Sequence, residues 1–89
     1  MSEGTKILLV DDHAMFRAGI RALLEAEGRM VVVGEASSGD EAVDKVRRLK
    51  PDVVVMDLSM PGSNGLEATR RIAALELDTK VLVLTVHAE

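Results

Sequence analysis

The sequence contains no cysteine, and this absence excludes several kinds of site at once. Without thiols the chain can form no disulfide, has no thiolate nucleophile and cannot build a zinc site on cysteine ligands. Tryptophan and tyrosine are also absent, and Phe16 is the only aromatic residue of this type. The chain therefore offers almost no aromatic surface on which nucleic-acid bases could stack, or which could anchor a protein interface.

The charge balance argues against nucleic acid as a direct ligand of this segment. Acidic residues outnumber lysine and arginine by 15 to 11, which gives a formal net charge of −4. Nucleic-acid-binding segments need clustered positive charge, whereas the basic residues here are scattered, with two Arg doublets at 47–48 and 70–71. No apolar stretch is long enough to span a bilayer and nothing resembles a signal peptide, so we expect a cytoplasmic protein.

Strand-like and helix-like segments alternate along the whole chain. The 89 residues are enough for a single domain, 1–89. Four apolar runs have the length and composition of buried strands: KILLVD (6–11), MVVVGEA (30–36), DVVVMD (52–57) and KVLVLTV (80–86). This order predicts an α/β fold with a doubly wound parallel sheet that is covered by helices on both faces. Gly34, inside the second run, indicates a bulge or a close approach.

The segments between the strands have helical apolar spacing and recognisable ends. Ser38 and Glu41 form a capping-box pattern at the start of the second helix, and Pro51 ends it. Asn64 is the expected cap of the third helix. The predicted inward-facing residues are Phe16, Ile20, Leu23 and Leu24 in the first helix (14–27), Ala42, Val43, Val46 and Leu49 in the second, and Leu66, Thr69, Ile72 and Ala73 in the third.

Three carboxylates fall where these strands end. Asp11 and Asp12 close the first run and Asp57 closes the third, while Thr85 lies near the end of the fourth. In an open parallel sheet, ligands bind outside the carboxyl ends of the strands. An acid at one strand end can simply cap the next helix, as Asp12 could, but three at one edge repel each other unless a cation or charged ligand binds there.

Carboxylate and carbonyl oxygens favour a hard cation, Mg²⁺ or Mn²⁺. Mg²⁺ usually keeps waters and a phosphate oxygen among its ligands, so phosphoryl chemistry is the natural companion, with a carboxylate as the nucleophile that forms an aspartyl phosphate. The sequence has no Walker-type glycine-rich loop. We therefore expect the chain to receive a phosphoryl group rather than to draw it from bound ATP.

These residues carry a resemblance to a known family. The segments LLVDDHAMFRAGIRALLE, VVMDLSMPGSNGLEATRRI and VLVLTVHAE resemble the receiver domain of bacterial two-component response regulators, a CheY-like (flavodoxin-like) fold. The beginning DDH-x-x-FR-x-G and the end LTVHAE look closest to the NarL/FixJ class, whose members carry a LuxR-type helix-turn-helix output domain. The resemblance implies a partner histidine kinase and a transcriptional output.

The resemblance also implies a role for each acidic residue. Asp57 matches the phosphoacceptor, Asp12 the direct Mg²⁺ ligand, and Asp11 the acid that holds a metal-bound water. The backbone carbonyl of Ser59 matches the third protein ligand of the metal, with Asp57 as the other. Thr85 matches the switch hydroxyl that moves onto the phosphoryl group.

The chain departs from the family at its end. The family fold normally continues with a fourth helix, a fifth strand that bears a lysine, and a fifth helix, so we expect the fold truncated after strand 4 and the sequence to be a fragment of a longer regulator. Lys6 and Lys80 begin strands about 17 Å from the acids and cannot replace that lysine. In the family's strand order, 2-1-3-4-5, strand 4 would be an exposed edge, and we expect copies to associate through it or by swapping elements.

Two other functions stay open at this point. One is a phosphatase or phosphotransferase with an aspartyl nucleophile, although enzymes of the haloacid dehalogenase type commonly carry a second Asp where this chain has Ser59. The other is a fragment that self-associates without phosphotransfer. His13 could be a further metal ligand, but two adjacent acids are enough to satisfy a histidine there.

Overall fold

The computed structural model describes residues 4–60 and 65–84. Strands and helices alternate along the described chain in this order: β1 (Thr5–Val10), α1 (Ala14–Ala26), β2 (Met30–Ala36), α2 (Gly39–Leu49), β3 (Val53–Asp57), α3 (Gly65–Ala74) and β4 (Lys80–Leu84). The predicted strands and helices are all present, with ends within one or two residues of the predictions. The end of the fourth predicted strand and the predicted cap Asn64 lie outside the described residues. Within the described part of the chain, no helix is long and apolar enough to cross a membrane.

The four strands form one parallel sheet in the order β2-β1-β3-β4. This confirms the doubly wound α/β fold and matches the first four strands of the expected order. Between Ile7 and Leu8 the register of β1 against β2 shifts, and Leu8 is paired with Gly34. A Cβ at Gly34 would lie 2.7 Å from a methyl of Leu49, so this glycine marks both the predicted bulge and a close approach to α2.

The core lies on the two faces of this sheet. On one face, α2 and α3 cover the larger cluster, in which Leu8, Met56 and Val46 are completely buried. On the other face, Ile7, Leu9 and Val32 form a smaller cluster with Ile20 and Leu24 of α1 packed against it. The second face is more thinly covered, because α1 has no fully buried residue.

Part of the predicted inward faces of α1 and α3 is wrong. In α1, Ile20 and Leu24 pack on the sheet, whereas Leu23 is exposed and Phe16 is just over one third exposed. In α3, Leu66 and Ala73 are exposed and Thr69 is half-buried. The buried residues of α3 are Gly65, Ala68 and Ile72. The start of α3 lies so close to Leu58 and the backbone of Asp57 that small residues, not the largest apolar ones, occupy its inward face.

The ends of α2 follow the predicted signals with one difference. Ser38 is the N-cap, and its hydroxyl accepts a hydrogen bond from the backbone N–H of Glu41. The Glu41 carboxylate accepts from the backbone N–H of Ser37 at 2.8 Å, one residue before the position of a standard capping box. At the other end Lys50 adopts the left-handed conformation, and the buried Pro51 follows the helix as predicted.

Candidate acidic site at the carboxyl edge of the sheet

The parallel register brings the first and third strands to the same level at their carboxyl ends. Val10 pairs with Met56, so the next residues along the two strands, Asp11 and Asp57, come side by side. Asp11 is 5% exposed and Asp57 is 3% exposed, and they are the only buried charged residues in the described part of the chain. Two buried carboxylates at one sheet edge are costly unless hydrogen bonds or a cation compensate them.

The backbone around Asp11 is held on several sides. Its N–H donates to the carbonyl of Ala36 at 3.0 Å, which extends the pairing with β2 by one residue. Its carboxylate Oδ1 accepts from the backbone N–H of His13 at 2.6 Å. Its carbonyl accepts from Nη1 of Arg17 at 2.5 Å. The turn from β1 into α1 is therefore fixed by contacts to β2 and to α1.

Asp57 is held by the turn that follows its own strand. Its Oδ1 accepts two hydrogen bonds from Ser59, one from the backbone N–H at 2.9 Å and one from the hydroxyl at 2.7 Å. Neither bond engages Oδ2. The turn itself is tied to β4, because the N–H of Leu58 donates to the carbonyl of Leu84 at 3.0 Å.

Asp12 has the most unusual environment of the three acids. Its Oδ1 is buried and accepts no hydrogen bond from the described residues. Nδ1 of His13 lies 2.8 Å from this oxygen, but not in the orientation that a hydrogen bond requires. Asp12 does not cap α1 either, since the N-cap position is His13 and has no side-chain cap. A buried carboxylate oxygen without a donor is a suitable ligand for a cation.

His13 is the exposed member of the acidic cluster. Ligand atoms of Asp11, Asp12 and His13 lie within 4.8 Å of one another. The His13 side chain is exposed, and its Nδ1 is 3.5 Å from Asp11 Oδ1. Its Nδ1 is thus close to both acids, whereas the expectation that the two acids satisfy His13 stays a prediction.

The two buried carboxyls differ in their affinity for a proton. Burial raises the pKa of Asp11, and the neighbouring carboxyl of Asp57 raises it further. Burial would also raise the pKa of Asp57, but the hydroxyl and backbone N–H of Ser59 outweigh this effect and bring the pKa below its usual value. Asp57 is therefore the carboxyl that stays ionised, and Asp11 is the one that takes up a proton first.

The donor set fits a hard divalent cation. Asp11 and Asp57 end neighbouring strands at one sheet edge, Asp12 follows Asp11 with its carboxylate close to that of Asp11, and Ser59 lies beside Asp57 in the following turn. An oxygen-only set with few carboxylates suits Mg²⁺, which keeps several waters. Thr85 lies outside the described residues, although the preceding Leu84 is paired with Asp57. The fourth strand thus reaches the level of the acids.

Arg17 contacts this site, and the sequence analysis did not identify it. Besides its bond to the carbonyl of Asp11, its Nε donates to Oε1 of Glu35 at 2.8 Å. It also lines a small hollow beside Asp57 together with Phe16 and Leu84. A signal was present in the sequence, because Glu35 is an acid within an otherwise apolar strand and such a residue needs a cationic partner.

Comparisons with known proteins agree with this geometry. Residues 7–89 match the model of the family described as "Response regulator receiver domain". The chain is 57% identical over 83 residues to the response regulator UvrY of Escherichia coli (strain K12), covering 93% of this chain and 38% of that protein. It is 50% identical over 84 residues to the response regulator GacA of Pseudomonas syringae pv. syringae (strain B728a), covering 94% of this chain and 39% of that protein.

A solved structure shows the same fold. The two-component response regulator of the LuxR family from Aurantimonas sp. SI85-9A1 superposes with a TM-score of 0.88 at 42% identity. The match covers 97% of this chain and 61% of that one. The chain thus spans well under half the length of the curated relatives that it matches, and most of the length of a solved structure.

Proposed function

The chain belongs to the family of response regulator receiver domains, and we propose that it accepts a phosphoryl group on Asp57 from a histidine kinase in a Mg²⁺-dependent reaction. Receiver domains are generally phosphoacceptor switches rather than enzymes, and they generally bind Mg²⁺ at an acidic pocket. The observation that carries the proposal is the placement of Asp57, buried and ionised at the sheet edge beside Asp11 and Asp12. The family match favours this function over an aspartyl phosphatase.

Asp57 is the proposed nucleophile. One of its carboxylate oxygens forms the new bond to phosphorus while the bond between phosphorus and the donor breaks, and the donor leaves with the electron pair. The two hydrogen bonds from Ser59 support this role, because they orient the carboxylate and keep it ionised. Both fall on Oδ1, so Oδ2 is the oxygen that we expect to attack.

The proposed cation ligands are Asp12, Asp57 and the backbone carbonyl of Ser59, with Asp11 holding a metal-bound water. The buried Asp12 oxygen that lacks a donor supports this assignment. Bound Mg²⁺ (or Mn²⁺) would neutralise the negative charge of the phosphoryl oxygens and of the clustered acids. Burial raises the pKa of Asp11, and a bound cation would lower it again, because a nearby positive charge favours the ionised carboxylate.

Thr85 is the proposed switch hydroxyl. The pairing of Leu84 with Asp57 supports this, because it brings the described end of β4 to the level of the acids. Phosphorylation would then shift an equilibrium between existing conformations rather than create a new fold. We further propose that the response is passed to a DNA-binding output domain in a longer parent protein. The support is the 38–39% coverage of the curated relatives and the LuxR family named for the Aurantimonas structure.

We also propose that copies of this chain associate through the outer edge of β4. Among the described strands, β4 is hydrogen-bonded to β3 alone and lies at the end of the sheet order. Leu82 and Val83 are exposed apolar residues of this strand. An apolar edge strand with unpaired backbone groups pairs readily with a second chain.

The test of phosphorylation is the intact mass of the protein after incubation with acetyl phosphate and Mg²⁺. We expect a gain of one phosphoryl group, which is lost in Asp57→Asn and when the metal is removed by a chelator. Asp52→Asn is the matched control, because Asp52 is an exposed acid immediately before the other end of β3, and its carboxylate accepts a hydrogen bond from the backbone N–H of Lys6, far from the acidic site. No mass gain in the wild-type protein, or equal gain in Asp57→Asn, would contradict the proposal.

A further inference from the structure

We propose that Arg17 is a positioning residue that holds the Asp11–Asp12 peptide in the orientation required for cation binding. The inference rests on the proposed function, since it concerns the same acidic site. Nη1 of Arg17 donates to the carbonyl of Asp11 at 2.5 Å, and Nε donates to Oε1 of Glu35 at 2.8 Å. The Arg17 side chain is only 18% exposed, so these contacts are largely shielded from water.

The carbonyl of Asp11 is a sensitive place for such a contact. β1 ends at Val10 and α1 begins at Ala14, so the peptide between Asp11 and Asp12 lies in the connection between them. The N–H of Asp11 is fixed by Ala36, but the orientation of the next peptide depends on what its carbonyl contacts. A change in the ψ angle of Asp11 would turn this carbonyl and would also move the Cα of Asp12 and the carboxylate it carries. A small displacement of a ligand is enough to weaken a site with the strict geometry of Mg²⁺.

Arg17 is in turn held by Glu35. This glutamate lies on β2, where it pairs with Leu9 of β1, and its two carboxylate oxygens form ion pairs with two different arginines. Oε1 accepts from Arg17 and Oε2 accepts from Nη1 of Arg21 at 2.7 Å. Lys45 of α2 contacts the backbone carbonyl of the same residue. Glu35 therefore has contacts to both α1 and α2. Because the guanidinium of Arg17 is planar, its bond to Glu35 also fixes the direction in which it donates to the carbonyl of Asp11.

Arg21 provides a matched control within the same cluster. It lies one helical turn after Arg17 and bonds to the same Glu35 carboxylate, but its other contact is Glu25 rather than Asp11. Replacing either arginine by glutamine removes one positive charge and one ion pair to Glu35. Only Arg17→Gln also removes the donor to the carbonyl of Asp11.

The test is the affinity of the full chain for Mn²⁺ alone, measured from the electron paramagnetic resonance signal of the free ion. We expect Arg17→Gln to weaken Mn²⁺ binding about tenfold, the low end of what outer contacts to metal ligands are worth, and Arg21→Gln to change it by about twofold or less. Arg17→Lys keeps the positive charge but not the planar guanidinium with its several donors, and we expect it to weaken Mn²⁺ binding about threefold or more.

A second measurement does not involve the metal. In the metal-free protein, the amide resonances of Asp12 and His13 should shift in Arg17→Gln and stay close to wild type in Arg21→Gln. If Arg17→Gln does not fold, Arg17→Lys decides the question by the same two measurements.

The outcomes separate this inference from the proposed function. Wild-type protein that binds Mn²⁺ and is phosphorylated, together with an unchanged affinity in Arg17→Gln or Arg17→Lys, would overturn the role of Arg17 alone. Equal losses in Arg17→Gln and Arg21→Gln would also overturn it, because the effect would then come from charge. Wild-type protein that binds no Mn²⁺ would overturn both.

Discussion

At the scale of single residues, the site depends on how one carboxylate is kept ionised while it is buried. Asp57 is almost inaccessible to water, and burial favours the protonated form of a carboxyl group. Ser59 reverses this preference with two donors to a single oxygen. The hydroxyl is the part of this arrangement that a substitution can remove without touching the backbone.

We predict that Ser59→Ala raises the pKa of Asp57. The native pKa lies below the usual value, so the ionised form is stabilised by the fold, and that stabilisation is lost as the pH falls through the native pKa. Loss of the hydroxyl moves this transition to higher pH. The measurement is a titration of the Asp57 carboxyl carbon by NMR in metal-free protein.

The control for this titration is Ser37→Ala. The hydroxyl of Ser37 also donates to a carboxylate, that of Glu41 at 3.1 Å, but on the exposed start of α2. The Ser37→Ala substitution should leave the pKa of Asp57 unchanged. An Asp57 titration in Ser59→Ala that overlays the wild-type curve would show that the backbone N–H alone sets the pKa.

The acids of the site could be predicted from the sequence because strand ends can be located in it. Apolar runs that stop at Asp11 and Asp57 define the same edge of any parallel sheet, and the resemblance to a family adds the roles. The contact of Arg17 could not be predicted in this way. It depends on how far α1 is rotated on the sheet, and Glu35 alone does not say which of several arginines would meet it.

At the scale of helices and strands, the length of each element was predictable but the face that it buries was less so. Continuous apolar runs and turn signals determine where strands and helices begin. The inward face of α3 depends instead on the distance to its neighbours. Gly65 lies where a Cβ would be 3.1 Å from the Asp57 carbonyl, so close packing selects Gly65 and Ala68 and leaves Leu66 outside.

We predict that Gly34→Ala destabilises the protein by about 1–2 kcal/mol, because the contact between β2 and α2 has no room for a methyl group. A Cβ there would lie 2.7 Å from a methyl of Leu49 and 3.3 Å from a methyl of the fully buried Leu8. The Leu49 side chain must move away from its present position. Urea unfolding followed by circular dichroism measures the change.

Gly19→Ala in α1 is the matched control for this substitution. A Cβ at Gly19 meets no atom within 4 Å, so the same chemical change should stabilise the protein, by up to about 1 kcal/mol, through helix propensity. If the free energy of unfolding falls in Gly34→Ala and rises in Gly19→Ala, close packing at Gly34 is the cause. A neutral or stabilising Gly34→Ala would mean that Leu49 relaxes without cost.

At the scale of the whole molecule, the sheet is covered unequally. One face carries α2 and α3 over the larger cluster, whereas the other carries α1, which has no fully buried residue. The fourth strand is largely exposed on both faces. The described chain therefore has its most protected region around β1 and β3, where the acids are placed, and its least protected region at β4.

Within the described part of the chain, the backbone groups on the outer side of β4 have no strand partner. Lys80 donates from its N–H to Asp52, and Leu84 accepts at its carbonyl from Leu58, so residues 80, 82 and 84 face β3. Because backbone groups alternate along a strand, those of Val81 and Val83 point away from the sheet. A second chain could pair with this edge without disturbing the existing ladder.

We predict that Val83→Lys weakens self-association of this chain about tenfold or more, since a charge on an edge strand opposes pairing with another strand. Val31→Lys is the matched control, because Val31 lies on β2 at the other end of the sheet and is 43% exposed, against 41% for Val83. Sedimentation velocity over a range of concentrations measures the association. We expect dimers in the wild type and in Val31→Lys, and monomers in Val83→Lys at the same concentration. A wild-type protein that stays monomeric throughout, or equal weakening by both substitutions, would refute association through β4.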